Sequence, residues 1–454
     1  MNEFIFRKYD IRGIVETDFT DDVVINLGKA FGTFVKRTGG NSVAVSGDVR
    51  ETTPHLKQKF AEGLVSTGIN VKDMGIIPTP TNYYSMYHLD IDGAVQITGS
   101  HNPPEFNGFK MSLSQKAFYG DQIQDLKHLI QEQDFEIGDG KIEDTPILQD
   151  YLEMLKSKIK LDRKLKIVMD CGNAAGCLGG PQIYKDLGIE LTELYCDVDP
   201  TFPNHHPDPT EDENLEDIIK VIKEGDYDFG VAFDGDADRV ILIDEKGGII
   251  RADNMMCLFL PEIIKSPGEE VVFDVKCSQA LEEMINKYGG TATVWKTGHS
   301  LIKEKMRQNN VKFAGEMSGH IFFADDYFGF DDAIYVGLRA AQTLSRSNKK
   351  LSELTAEIPK YFSTPEMRME ANNDEEKFFI AEKAIEYFSE YYDCNTVDGV
   401  RIKFNDGWGL VRSSNTQPVI VCRFEASSPE RRDEIKNIVL TKLSEFGELR
   451  TGDN

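Results

Sequence analysis

Residues 234–239 read DGDADR, which sets Asp234, Asp236 and Asp238 at alternate positions with small residues between them. Three hard oxygen ligands on a tight turn suit Mg²⁺, which prefers octahedral oxygen coordination and keeps positions open for water or phosphate. A calcium-binding EF-hand is a rival pattern, because Glu245 falls at position 12 counted from Asp234. Arg239 occupies the place where that loop needs glycine, and the apolar run 240–243 fills it, which argues against calcium. The bland reading of the same turn is a solvated acidic loop. The segment 98–110, TGSHNPPEFNGFK, is stiffened by two prolines. Its Ser100 follows a glycine at a strand end, so the hydroxyl can project into a cleft, with His101 and Lys110 close in sequence. As a nucleophile it needs a neighbouring base or cation. No G-x-S-x-G elbow is present, so hydrolase-type acyl transfer has little support. In GEMSGH, 315–320, Glu316 and Ser318 sit between glycines and suit hydrogen bonds to paired sugar hydroxyls. In RSSNT, 412–416, Arg412 with Ser414, Asn415 and Thr416 forms a plausible phosphate cradle. His205 and His206 lie among prolines and aspartates and are expected in a solvated loop without a role.

These loops need elements to position them, and the order of elements repeats. A first copy runs from the apolar strand 43–45 through a helix to about Thr67, the strand around INVKDMG, a helix near 83–88 and the strand 94–97, ending in TGSHNPP. A second runs from 166–169 through PQIYKDLG, IELTELY and the periodic helix NLEDIIKVIKEG to the strand 229–233, ending in DGDADR. A third runs from 271–273 through SQALEEMINKYGG, TATVW and SLIKEKMRQNN to 311–314, ending in GEMSGH. Each copy reads strand–helix–strand–helix–strand, the alternation of α/β domains with a mainly parallel sheet. Ligands gather outside the carboxyl ends of such strands, where all three loops fall. From about Met369 the pattern changes to a helix, three strands with alternating character and a final helix, the signature of a smaller α+β module with an antiparallel sheet. The expected boundaries give four domains: 1–150 with the serine, 151–250 with the aspartates, 251–368 for sugar recognition and 369–454 for phosphate binding.

The chain has 454 residues, 40% hydrophobic and 28% charged, as expected of a folded globular protein. Its 51 basic and 77 acidic residues give a net charge of −26. That field disfavours nucleic acid and anionic membranes, which need clustered Lys and Arg. On net charge alone it also disfavours an anionic substrate. Seven cysteines without a CxxC pair exclude a complete disulfide framework and make a thiolate zinc site improbable. The start, MNEFIFRKYDIRG, lacks an apolar signal core, and the apolar stretch 255–260 is only six residues, so a cytoplasmic protein is expected.

Five segments, YDIRG at 9–13, TGSHNPPEFNGFK, DGDADR, GEMSGH and RSSNTQP, stand in an order and spacing that resembles the α-D-phosphohexomutase superfamily, in its bacterial phosphomannomutase/phosphoglucomutase branch. The resemblance covers essentially the whole chain. It implies three related α/β domains and a smaller C-terminal α+β domain around a central cleft. It implies reversible phosphoryl transfer between C1 and C6 of mannose and glucose phosphates, through a phosphoserine and a 1,6-bisphosphate that also serves as activator. By matching position, Ser100 is the phosphoserine, and Asp234, Asp236 and Asp238 hold Mg²⁺ together with its phosphoryl oxygen. His101, Lys110, Arg12 and His299 fall in the catalytic set. Tyr9, Arg239, Lys276, Thr297, Gly298, Glu316, Ser318, Arg412, Ser414, Asn415 and Thr416 fall in the substrate set. A glucosamine phosphate mutase is the enzymatic alternative. A non-catalytic sugar-phosphate binder would lack the serine or an aspartate, and all are present. Hexose phosphates are the expected partners, with the chain a monomer or weak homodimer and its C-terminal domain moving to admit substrate.

Overall fold

The computed structural model describes residues 2–7, 10–414 and 419–451. The chain forms two compact units, one of residues 1–252 and 318–354, the other of 253–317 and 355–454.

In the first unit the amino-terminal sheet runs, edge to edge, Ile11–Ile14, Phe106–Leu113, Gly93–Ile97, Ser42–Gly47, Asn70–Ile76, Ile142–Asp144. The strands Gly93–Ile97, Ser42–Gly47 and Asn70–Ile76 are parallel, with Val45 opposite both Asp73 and Val95. The segment Phe106–Leu113 adds antiparallel to Gly93–Ile97, with Ile97 opposite Phe109. The helix Asp21–Arg37 forms because Val24, Leu27, Phe31 and Val35 recur on one face. Its acidic first turn and basic last turn also complement the helix dipole. That face packs with the helix Thr53–Ser66 over a core containing Phe31, Phe60, Phe109 and Phe118.

The second sheet of this unit is ordered Ile249–Ile250, Val240–Asp244, Phe229–Phe233, Lys166–Asp170, Glu190–Leu194. Phe229–Phe233 is parallel to Lys166–Asp170 and antiparallel to Val240–Asp244, with Phe233 opposite Val240. The serine loop and the aspartate turn therefore occupy equivalent places. Each is the hairpin connection between the last parallel strand of a copy and one added antiparallel strand. Glu245 does not face the aspartate turn in EF-hand fashion; it accepts from Ser352 Oγ at 2.6 Å and Ser352 N–H at 3.1 Å.

In the second unit, Thr291–Trp295, Glu270–Asp274 and Phe313–Gly315 form a parallel group. The C-terminal sheet is antiparallel, with Gly407–Ser413 between Val400–Phe404 and Val419–Ala426, and Met367–Glu370 beyond the latter. The helices Asp374–Tyr391 and Pro429–Leu443 cover it through Ile380, Ala384, Phe388, Ile435, Val439 and Leu443. Two buried charges join this sheet to the parallel group. Arg401 donates to the carbonyls of Val275 and Cys277, each at 2.9 Å, and stacks on Trp408. Glu425 accepts from Trp408 Nε1 and from the Gln279 N–H, each at 2.8 Å. All seven cysteines are free thiols. No helix among the described residues is long and apolar enough to cross a membrane.

Candidate active site

In the first unit the serine loop meets the aspartate turn. Ser100 is buried, and its Oγ lies 3.1 Å from Asp234 Oδ2 and 3.1 Å from His101 Nδ1. Asp234, Asp236 and Asp238 are fully buried, and one carboxylate oxygen of each lies within 4.8 Å of the others. The turn 234–239 brings the three carboxylates together. Asp234 Oδ1 accepts from the N–H groups of Asp238 and Arg239, each at 3.1 Å, which closes the turn. Both facing loops carry a non-glycine residue in the left-handed region, Ser100 at φ 50° and Ala237 at φ 61°. Such residues cluster where the surroundings over-determine the backbone. Gly235 allows the approach: a Cβ there would stand 2.2 Å from the Ser100 carbonyl oxygen.

Lys110, on the strand Phe106–Leu113, projects between two of the aspartates, with Nζ 2.7 Å from Asp236 Oδ2 and 2.5 Å from Asp238 Oδ2. Burial alone lowers an ammonium's proton affinity, but Asp236, Asp238 and Asp234 outweigh it and hold Lys110 well above the ordinary lysine value. Asp236 is driven the opposite way, since contact with Lys110 outweighs its burial and keeps it ionised. Asp234, desolvated and beside the other two carboxylates, is pushed well up. Arg239 reaches to 4.0 Å from Asp234 Oδ2 and donates from Nε to His320 Nε2 at 3.1 Å. Burial, then Arg239, Arg12 and Lys110, hold His101 well below the usual histidine value. Arg12 donates to Asn102 Oδ1 at 2.9 Å and to Asp10 at 2.7 Å, so the amino-terminal strand is tied to the serine loop.

The donor set fits a hard divalent cation. Three buried carboxylates outnumber the cations around them, Lys110 and Arg239. Asp236 Oδ1 is buried without a hydrogen-bond partner among the described residues. A buried carboxylate oxygen left unpaired is costly unless a cation takes it. Three carboxylate oxygens from one tight turn suit Mg²⁺, which keeps its other positions for water or phosphate.

Of the remaining expected residues that are described, Lys276, Thr297, Gly298, His299, Glu316, Arg412 and Ser414 belong to the second unit, and Ser318, half-buried, to the first. Glu316 is buried and accepts from the Gly298 N–H at 2.5 Å, where φ is 133°. Thr297 donates from Oγ1 to Asp274 at 3.0 Å and from N–H to Asp398 at 3.2 Å. His299 opens the helix His299–Asn309. These contacts gather the TGH and GEM segments. Lys276 lies 3.4 Å from Glu366, and Arg412 3.1 Å from Asp398. The Ser414 carbonyl accepts from Lys377 Nζ at 3.0 Å. Tyr9, Asn415 and Thr416 lie outside the described residues.

Sequence reasoning passed over four residues here and gave no role to two more, His205 and His206. Thr79 donates from Oγ1 to Asp236 Oδ2 at 2.6 Å, and its N–H to the Asp236 carbonyl at 3.0 Å. His320 lies 3.5 Å from Asp238 and 3.0 Å from Asp331. Asp48 and Arg50 brace the serine loop. The pair expected in a solvated loop is half-buried instead, His206 donating from Nε2 to the His101 carbonyl and His205 contacting Asp170 at 3.1 Å. His320 alone left a signal, as the last residue of GEMSGH. The others act on partners remote in sequence.

The chain matches the phosphoglucomutase/phosphomannomutase domain families in order: alpha/beta/alpha domain I over residues 3–136, domain II over 149–248, domain III over 251–362 and the C-terminal domain over 347–442. A phosphomannomutase/phosphoglucomutase of Pseudomonas putida is 42% identical over 442 residues, covering 97% of this chain and 95% of that protein. A phosphoglucomutase of Neisseria meningitidis is 41% identical over 440 residues, covering 95% of each. The crystal structure of a phosphoglucomutase/phosphomannomutase family protein from Burkholderia thailandensis superposes with a TM-score of 0.92 at 39% identity, over 99% of each chain. With all four domains matched in order and relatives of this identity along nearly its full length, the chain belongs to the phosphoglucomutase/phosphomannomutase family.

Proposed function

We infer that the chain is a phosphohexomutase, an isomerase that moves a phosphoryl group reversibly between C1 and C6 of a hexose phosphate, with mannose and glucose phosphates as substrates. The observation that carries the reading is Ser100 Oγ, 3.1 Å from Asp234 within a buried three-aspartate turn already bridged by Lys110. We assign Ser100 as the phosphoryl carrier. In the forward transfer a sugar hydroxyl oxygen bonds to the phosphorus, the Oγ–P bond breaks, and the hydroxyl proton passes to a nearby base. The resulting 1,6-bisphosphate turns end for end and returns its other phosphoryl group to Ser100. A 1,6-bisphosphate supplied from outside would load the serine and so act as activator.

Asp234, Asp236 and Asp238 would hold Mg²⁺, which when bound supplies positive charge beside the transferring oxygens. Phosphoryl transfer asks mainly for positioning and neutralisation, and the chain's own groups are suited to both. Lys110 and Arg239 bring fixed positive charge to the turn, and Arg12 steadies the loop through Asn102. His101, 3.1 Å from Oγ, is the nearest candidate to take a proton, with His299 the candidate for the hydroxyl at the other end. Glu316 and Ser318 would bind ring hydroxyls, and Tyr9, Lys276, Thr297, Gly298, Arg412, Ser414, Asn415 and Thr416 the sugar and its distal phosphate. The four-domain division, the cytoplasmic setting and a monomeric or weakly dimeric state belong to the same proposal.

Ser100→Ala tests it. Incubating wild type with glucose 1,6-bisphosphate should add one phosphoryl group to the intact mass, and the variant should gain none and lose mutase turnover from glucose 1-phosphate while staying folded. Turnover close to wild type in the variant would remove Ser100 from this role. Comparing glucose, mannose and glucosamine 1-phosphates ranks the substrates.

A further inference from the structure

Ser100 sits in a conformation that a serine rarely adopts, φ 50°, and such a residue persists only where its surroundings hold it. The loop 98–106 is poor in internal donors, since Pro103 and Pro104 have no N–H. Four of its carbonyls turn to one side chain. Arg50, 2% exposed, donates from Nη2 to Ser100 O at 2.8 Å and to Asn102 O, and from Nη1 to Pro103 O at 2.7 Å and Phe106 O at 3.2 Å. Asp48 Oδ2 lies 3.3 Å from Arg50 Nε and accepts from Thr98 Oγ1 at 2.8 Å and the Gly99 N–H at 3.0 Å. Thr98 Oγ1 accepts in turn from the Ser100 N–H at 2.8 Å. Both the N–H and the C=O of Ser100 are thus tied to one buried ion pair. Gly99 makes room for it, because a Cβ there would stand 2.4 Å from Arg50 Nε.

A second brace reaches the same loop from residues 202–206. His206 Nε2 donates to the His101 carbonyl, one peptide beyond Ser100. His205 is anchored on both sides, donating to the His206 carbonyl at 2.9 Å and contacting Asp170 at 3.1 Å. Phe202 turns its ring to the Arg50 guanidinium at 5.5 Å and is buried with Val49, Ala174 and Ala175.

We propose that Arg50 and His206 are positioning residues for the phosphoryl-carrying serine, fixing the two successive peptides that follow Ser100 so that Oγ is presented to the three-aspartate turn. The proposal rests on the reading of Ser100 given above. Neither side chain reaches the reacting atoms; each acts through a backbone carbonyl. The guanidinium is required for its fork of donors, which an ammonium on a flexible stem does not reproduce.

The experiment compares wild type, Arg50→Lys, His206→Leu, His206→Gln and Ser100→Ala, with circular dichroism as the check of folding. Turnover is read with glucose 1-phosphate at saturating Mg²⁺ and glucose 1,6-bisphosphate. Misplacing a reacting group by about 1 Å costs about 10²-fold, so Arg50→Lys should lower kcat by roughly that factor with KM changed less than about threefold. His206→Leu should lower kcat about tenfold, and His206→Gln, whose amide N–H can reach the same carbonyl, should recover most of it. A merely structural role would lower the melting temperature without this split between kcat and KM, or this rescue. A folded Arg50→Lys protein with kcat within about threefold of wild type overturns the proposal, as do equal losses in the two His206 variants. If Arg50→Lys does not fold, the His206 pair decides alone. An active Ser100→Ala protein would instead overturn the reading on which the proposal rests, and the two failures are thereby distinguished.

Discussion

At the scale of single residues, the aspartate turn is a problem of excess charge. Three buried carboxylates and one lysine share a few ångströms, and Thr79 takes one lone pair of Asp236 while the other oxygen of that carboxylate has no hydrogen-bond partner among the described residues. Asp236→Asn is expected to cut kcat by about 10²-fold or more, the scale seen when one preorganised charge-stabilising group is removed, with a much smaller change in KM. Steady-state kinetics at saturating Mg²⁺ check it, and an unchanged kcat would refute it. Thr79→Val leaves every candidate ligand in place but releases the orientation of Asp236. Loss of such a ligand's partner costs about 10–100-fold in metal affinity, so the Mg²⁺ concentration for half-maximal turnover should rise by that range. Ser100, Lys110 and the three aspartates were legible in the sequence because they fall within two short segments of marked composition. Arg50, Thr79 and His206 were not. Each acts on a group 50 to 157 positions away, two of them on backbone carbonyls, which leave no trace in residue type.

Among elements, the strand and helix order was readable because apolar runs with β-branched residues alternate with helical periodicity, and the three copies appear as read. What alternation does not encode is the division into two compact units, since residues 251–368 are shared between them: the helix Ala333–Ser345 belongs with the first unit and the helix Gln279–Lys287 with the second. The N-terminus of Ala333–Ser345 carries a measurable consequence. Asp332 caps it, accepting from the Tyr335 N–H at 2.9 Å, from Tyr151 Oη at 2.8 Å and from Tyr327 Oη at 2.5 Å. Burial nonetheless pushes its carboxyl up to about 6 from 3.8, against the pull of those three bonds. A carboxyl whose folded value is raised favours the folded state while protonated, so its contribution is present below about pH 4 and is lost as pH rises to about 6. At 1.36 kcal/mol per unit, two units amount to about 3 kcal/mol. The stability difference between wild type and Asp332→Asn, from urea unfolding, should therefore shift against wild type by about that amount between pH 4 and pH 7. A difference independent of pH would contradict the assignment.

For the whole molecule, the net charge of −26 describes the solvated exterior. It does not by itself forbid an anionic substrate, because charge acts locally: buried Lys110 and half-buried Arg239 stand at the aspartate turn, whose remaining negative charge a bound Mg²⁺ would offset. Moderate salt at fixed Mg²⁺ should screen the long-range repulsion first, so kcat/KM is expected to rise before it falls. A monotonic fall from the lowest ionic strength would count against that. Arg401 has a mechanical consequence of its own. The two carbonyls it grips belong to Val275 and Cys277, the neighbours of Lys276 on either side. Arg401 itself lies on the strand paired with the one that carries Arg412. Swinging the plate that bears Arg412 without Lys276 would therefore break both hydrogen bonds and strip a buried guanidinium of these partners. In their proposed roles, these two cations meet the sugar and its distal phosphate together rather than as a pair of independent fingers. A bisphosphate that has turned end for end then presents its other phosphate to the same pre-spaced pair, which need not reassemble between the two transfers.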